Sequence, residues 1–193
     1  MPKKPDPVAG ETLIAQYNDI ARMTFQAEET DSHIASANTL SFGCAVAALV
    51  AYQFKIAPIM PAHENWVRCG FAVLFMYQAF AGMRTILQFA HLRPEWLKGR
   101  NAMNSIKKYY FANFKGLDAA FAWRNNSAPP KFEPESVGFM RIIQIAVVGG
   151  ASFGLASFLA ILAISGMYQP VPAFLAGVAF CFLQVWLYRH LLK

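Results

Sequence analysis

"IIQIAVVGGASFGLASFLAILAISGMYQPVPAFLAGVAFCFLQVWLY", residues 142–188, runs for 47 residues without an Asp, Glu, Lys or Arg. A buried element of a water-soluble domain ends within about 20 residues, and its connection then meets water. A bilayer span needs roughly 20 apolar residues at about 1.5 Å each. The run is therefore long enough for two spans. Its own punctuation, "SGMYQPVP" (165–172), has a glycine and two prolines to turn the chain between them. This predicts a hairpin of two membrane helices.

Working outward, Ile34 to Phe54 is a further stretch of 21 uncharged residues, a third span. The fourth lies in "CGFAVLFMYQAFAGMRTILQFAHLRP", residues 69–94. Its fifteen uncharged residues from Cys69 to Met83 cover only about 22 Å. To cross, this helix must take in Arg84 and continue to about His91. Composition agrees: 56% of the 193 residues are hydrophobic and 15% charged, where soluble domains carry about a quarter charged. The predicted fold class is all-α, a polytopic membrane protein with four transmembrane helices plus cytoplasmic amphipathic helices. The expected segments are a cytoplasmic tail and helix (1–36), a first transmembrane hairpin (37–91), a cytoplasmic amphipathic helix and Pro-rich loop (92–138), a second hairpin (139–190) and a short cytoplasmic C-terminus (191–193). The polar opening of the chain delays the first apolar run too long for a cleavable signal peptide.

Charge placement sets the expected topology. With the spans numbered in chain order from Ile34–Phe54 as the first, Arg93, Lys98, Arg100, Lys107, Lys108, Lys115, Arg124, Lys131 and Arg141 all lie between the second and third. The positive-inside rule then puts both termini and this segment in the cytoplasm, as in a bacterial inner (plasma) membrane. The +6 net charge is read as contact with anionic lipid headgroups rather than with nucleic acid, since no recognition fold accompanies it.

Two cytoplasmic stretches carry helical stripes. In "ETLIAQYNDIARMTFQAEETDSHIA" (11–35), Leu13, Tyr17, Ile20, Thr24, Ala27, Asp31 and Ile34 alternate steps of four and three. No glycine or proline separates this helix from the first span, so the two can form one rod. After Pro94, "EWLKGRNAMNSIKKYYFANF" places Trp96, Met103, Ile106 and Tyr110 at heptad spacing, with Phe114 one turn on. These helices are expected to pack on each other, or else the second lies on the headgroup layer. In the following loop, Phe121 and Trp123 suit headgroup depth, and Asn125–Ser127 matches a glycosylation pattern that a cytoplasmic placement makes irrelevant.

Within the spans, Arg84 either snorkels toward the surface, roughly 10 Å away, or joins Gln88, Gln144 and Gln184 in an interhelical polar network. Gly150 and Gly154, four apart, give the third span a small-residue face for helix packing. His33, His91 and His190 fall at the inner ends of three spans, a constellation that can hold haem or another metal; otherwise they are interfacial residues, and no cofactor is expected. Cys44, Cys69 and Cys181 fall within spans and show no disulfide or metal spacing. No span holds a carboxylate, which disfavours acid-driven ion transport. "GASFG" (150–154) spells a serine-hydrolase motif by letter, but it lies inside a membrane helix without a mid-span histidine. The chain is expected not to be an enzyme.

"LIAQYNDIARMTFQAEETDSHIASANTLS" running into a span, and "GRNAMNSIKKYYF" after the second, resemble a pattern in small uncharacterised bacterial inner-membrane proteins. A cytoplasmic helix, a two-span hairpin and a second cytoplasmic helix are also similar in outline to the SLATT-type membrane effectors. That resemblance implies membrane perforation, and the third and fourth spans depart from the two-span effector plan. The expected function is a non-enzymatic subunit or scaffold contacting other membrane subunits or copies of itself. The alternatives are a homo-oligomeric pore and a haem-binding electron carrier.

Overall fold

The computed structural model describes residues 7–54, 63–113, 132 and 135–192. The readings of Phe114, Phe121, Trp123 and Asn125–Ser127, and of the side chains of Leu13, Ala27, Asp31 and Tyr110, lie outside the described residues. Among the described residues there are four helices and no strand: α1 (Pro7–Gln53), α2 (Glu64–Asn113), α3 (Val137–Ser165) and α4 (Pro170–Leu191). Each contains a stretch long and apolar enough to cross a membrane. The chain is all-α and multi-pass by that measure.

The helix ends follow from local chemistry. Ser136 caps α3, its hydroxyl accepting from the Phe139 amide at 3.2 Å. The helix stops at Gly166, whose φ of 66° is a left-handed conformation that glycine adopts without strain. Gly166 donates back to the Leu162 carbonyl at 3.1 Å, and Pro170 then opens α4 at its first turn, where its missing N–H costs nothing. The glycine and proline of the turn thus act as the sequence implies.

Two helices run further than their spans. α1 continues unbroken from the polar opening segment into the first apolar stretch. α2 passes through Pro94, where the sequence reading ended the span at His91 and began a new helix after the proline. Proline removes one amide donor and crowds the carbonyl four residues back, a cost of about 3 kcal/mol. Long helical segments on both sides carry the helix through it.

The chain divides into two compact units, Met1–Asp31 with His91–Glu133, and Ser32–Ala90 with Pro134–Lys193. In the first, the opening segment of α1 packs on the end of α2. A Cβ on Gly99 would lie 3.5 Å from Ile20 Cγ2 and 3.6 Å from Thr24 Oγ1, and the Lys107 ammonium sits 5.9 Å from the Tyr17 ring centre. Leu97 and Met103 are buried here. By sequence the two segments carry opposite net charge: Glu11, Asp19, Glu28, Glu29 and Asp31 outnumber Arg22 on one, and Arg93, Lys98, Arg100, Lys107 and Lys108 outnumber Glu95 on the other. Trp96 has the Arg93 and Arg100 guanidinium carbons 4.6 and 4.9 Å from its ring centre, cation–π contacts of about 0.5–1 kcal/mol each at exposed sites.

The second unit is a helical bundle. Phe75, Ala156 and Leu159 form its centre, covered by Phe42, Val46 and Leu49 of α1 and by Phe71 and Met76 of α2. Phe42 meets Phe75 edge-on at 6.2 Å, and Phe153 stacks on Phe180 at 4.5 Å. Many large apolar side chains face outward, among them Leu40, Val73, Ile164, Phe174 and Phe182. In water such a surface would aggregate; lipid tails solvate it at no cost.

α3 and α4 approach closely. A Cβ built on Gly150 would lie 2.7 Å from the Gly177 carbonyl oxygen, and one on Gly177 would lie 2.6 Å from the Gly150 oxygen. Gly154 similarly faces the Ala173 carbonyl at 3.2 Å. The small-residue face of α3 is therefore spent on its own hairpin partner. Gly150→Leu is expected to force the seam apart and lower stability by about 1–3 kcal/mol or more. Gly70→Leu, at a glycine with nothing within 4 Å, should be tolerated. Thermal unfolding of both variants in detergent, read by helical circular dichroism, checks the contrast.

Candidate functional site

Polar side chains inside an apolar bundle must find partners, so they mark where the second unit does something other than fill space. Each of the residues marked by the sequence has a definite place. Gln144 donates from Nε2 to the Thr39 hydroxyl of α1 at 3.0 Å, and Thr39 donates on to the Ala35 carbonyl at 3.1 Å. Gln184 is fully buried, and neither atom of its amide has a hydrogen-bond partner among the described residues. It fits because Gly149 lacks a side chain: a Cβ there would lie 2.6 Å from Nε2. Arg84 and Gln88 are exposed.

Among the described residues, no hydrogen bond joins Arg84, Gln88, Gln144 and Gln184 into the single network expected of them. Helix register explains the separation. The inward positions of α2 are Phe75, Gln78, Gly82, Ile86 and Phe89, spaced by three or four. At about 100° per residue, Arg84 and Gln88 fall on the opposite side.

A different cluster occupies the interior. Gln78 of α2 donates to the Asn38 backbone carbonyl at 3.0 Å and also to its side-chain oxygen. Ser41 donates to Gln78 Oε1 at 3.1 Å. Asn38 Nδ2 remains buried without a partner, beside Gly82, where a Cβ would lie 3.6 Å from it. Together with Thr39 and Gln144, these groups tie α1 to both α2 and α3. The available signal was Gln78 alone inside an uncharged run, opposite Asn38 and Ser41 three apart on another span. Ranking polar residues by distance from the inner helix ends passed over it.

Amides and hydroxyls do not ionise in the physiological range, and the bonds these groups make join α1 to α2 and α3. Ser152, the serine of the hydrolase-like letters, donates to the Val148 carbonyl of its own helix at 2.8 Å and is fully buried. That bond is ordinary serine back-bonding in a helix.

The register also locates Arg84. Asn38 pairs with Gln78 and Phe42 with Phe75, so α1 and α2 run antiparallel. Extending that pairing one residue at a time sets His33 level with about residue 84. The guanidinium therefore lies at the polar end of the first span, with less depth to climb than the distance from His91 implied.

His33, His91 and His190 are each exposed. His190 stacks on Trp186 with ring centres 5.3 Å apart. No group of three or more His, Cys, Asp or Glu side chains gathers as a metal ion requires, among the described residues. The three cysteines are free, with Cys44 and Cys69 exposed.

No family model, curated protein or solved structure matches the chain.

Gln78→Leu should loosen the α1–α2 pairing by about 0.5–2 kcal/mol, because it strands Asn38 and Ser41. Arg84→Leu, on the exposed face, should change stability by less than about 0.5 kcal/mol. Gln184→Met, which replaces an unpaired buried amide by an apolar group of similar size, should raise stability by about 1 kcal/mol. Unfolding of the three variants in one detergent checks the loss, the gain and the near-neutral change.

Proposed function

We propose that this chain is a non-enzymatic membrane subunit whose first span docks onto another membrane helix. The observation that carries this reading is the poor coverage of that span. Within Ser32–Gln53, 6% of the apolar stretch is buried by the rest of the chain, against 33%, 44% and 28% in the other three. A helix facing only lipid usually presents large apolar side chains. Here the outward face carries Leu40 and Val50 but between them presents Ser36, Gly43, Cys44 and Ala47, all exposed, with nothing within 4 Å of a Cβ on Gly43. Small residues let a second helix backbone come close, and backbone approach is what joins helices in lipid.

The small-residue face of α3 is already occupied within the hairpin, and the polar cluster of α1 already faces α2 and α3. The uncovered side of α1 is thus the side with capacity for another helix. The partner is a membrane span of another subunit. A pore built from copies of this chain through the same face is the alternative, though the interior polar groups are then turned away from any channel between copies. The basic residues after the second span support a placement with both termini in the cytoplasm of a bacterial inner membrane.

A photo-crosslinking residue placed at Ala47 in the native membrane is expected to trap a second polypeptide. The same residue at Val73, an exposed position of α2, should give lipid adducts. A product at twice the chain's mass would favour self-assembly, and lipid adducts alone at both positions would sink the docking role. Gly43→Leu should reduce the Ala47 crosslink severalfold while leaving the unfolding temperature unchanged.

A further inference from the structure

We infer that the outer groove between α3 and α4 holds one acyl chain of a phospholipid, drawn from the leaflet on the side of the α3–α4 turn. The groove has a volume of about 550 Å³. Its lining comes from α3 between Val147 and Phe158, from α4 between Pro170 and Phe182, and from Tyr168 of the turn. The recess exists because the two backbones cross without side chains, and Gly150, Gly154 and Gly177 all border it. On one wall Leu155 and Phe158 also pack against the centre of the bundle. Val147, Phe174 and Phe182 stand exposed at the mouth, so the groove opens on the lipid-facing surface.

Dimensions select the occupant. At about 1.5 Å per residue the lining runs about 17 Å along each helix. The volume spread over that length leaves a cross-section of about 30 Å². An α-helix with its side chains is about 10–12 Å across and needs roughly three times that area. A methylene chain, whose carbons touch their neighbours at about 4 Å, fits it. Depth agrees with width. One end of the groove lies at Tyr168 and Pro170, where the turn joins the spans, and the other at Val147 and Cys181. A hydrocarbon core is roughly 30 Å thick, so the groove covers about one leaflet, the reach of one phospholipid tail.

The chemistry of the wall points the same way. Its only polar side-chain groups are the Tyr168 hydroxyl at the surface end and the Cys181 thiol at the deep end. Nothing between them can recognise a headgroup. Tyr168 is 74% exposed and meets Phe158 edge-on at 5.2 Å, which puts an amphipathic ring where the ester and headgroup emerge. Transfer from bulk lipid into the groove gains no hydrophobic energy, because lipid tails are equally apolar. The gain is packing: an unfilled recess forfeits the dispersion contacts of its lining, and a chain lying in it is touched on several sides. The site is made by α3, α4 and their turn, so it does not depend on whether α1 docks a partner.

The test places the full chain in phosphatidylcholine bilayers that contain some phosphatidylcholine with a photoreactive diazirine near the end of one acyl chain. Irradiation should label Ala151, Val178 or Cys181 more heavily than Val73, an exposed position of α2. Ala151→Phe and Val178→Phe each place a ring in the groove and should remove that excess. Each should also reduce severalfold the phospholipid retained by the detergent-purified chain, counted by native mass spectrometry. Val73→Phe should change neither readout. Unchanged helical content and unfolding temperature identify the folded variants, and two groove positions keep the test standing if one misfolds. Groove labelling no heavier than that of Val73, or unchanged lipid retention by a folded groove variant, overturns the site. So does recovery of free fatty acid in place of phospholipid. A Cys181–Cys181 disulfide between copies under mild oxidation would also overturn it, by assigning the groove to a second copy.

Discussion

Lipid tails are as apolar as leucine, so burial of greasy surface does not hold these helices together. What holds α3 to α4 is the absence of side chains where the backbones cross. Gly150, Gly154, Gly177 and Ala173 bring carbonyl oxygens of one helix to within van der Waals distance of the other's backbone. The aromatic contacts of α4 are arranged around that crossing. Phe153 can stack on Phe180, and Phe180 can meet Phe80, because the hairpin has already fixed the height of α4 against α3. The same fixed height leaves Gln184 opposite Gly149, where its buried amide has room but no partner.

α1 is attached by different physics. Its contacts with α2 and α3 combine one aromatic cluster with hydrogen bonds that Asn38 accepts from Gln78, Thr39 accepts from Gln144 and Ser41 donates to Gln78. Hydrogen bonds between membrane helices contribute only about 0.6 kcal/mol on average, so this helix is joined more lightly than α4. Light attachment and an outward face of small residues go together: a span that must accept a second partner cannot be enclosed by the first. The docking role proposed for it draws on that combination.

Much of the fold was legible because charge exclusion is a strong signal. The uncharged run from Ile142 to Tyr188 and the glycine–proline turn inside it leave few alternatives to a hairpin, and α3 and α4 meet at Gly166 and Pro170. The continuity of α2 was not legible, since Pro94 reads as a boundary when only its own lost hydrogen bond is considered. The polar interior was read in part. Gln144 and Gln184 were marked, and both make or seek contacts inside the bundle. Their association with Arg84 and Gln88 was inferred from depth along each span, and depth says nothing about which face of a helix a residue occupies. Asn38 and Gln78 needed the antiparallel register of two helices, which emerges only once Phe42 and Phe75 are seen to meet.

The measurement that bears most directly on the docking role is native mass spectrometry of the protein drawn gently from its own membrane. The account predicts the 21.5 kDa chain together with at least one other membrane polypeptide, in a fixed ratio that disappears for Gly43→Leu. A bare 21.5 kDa species carrying only lipid, alike for the native chain and for Gly43→Leu, would contradict it.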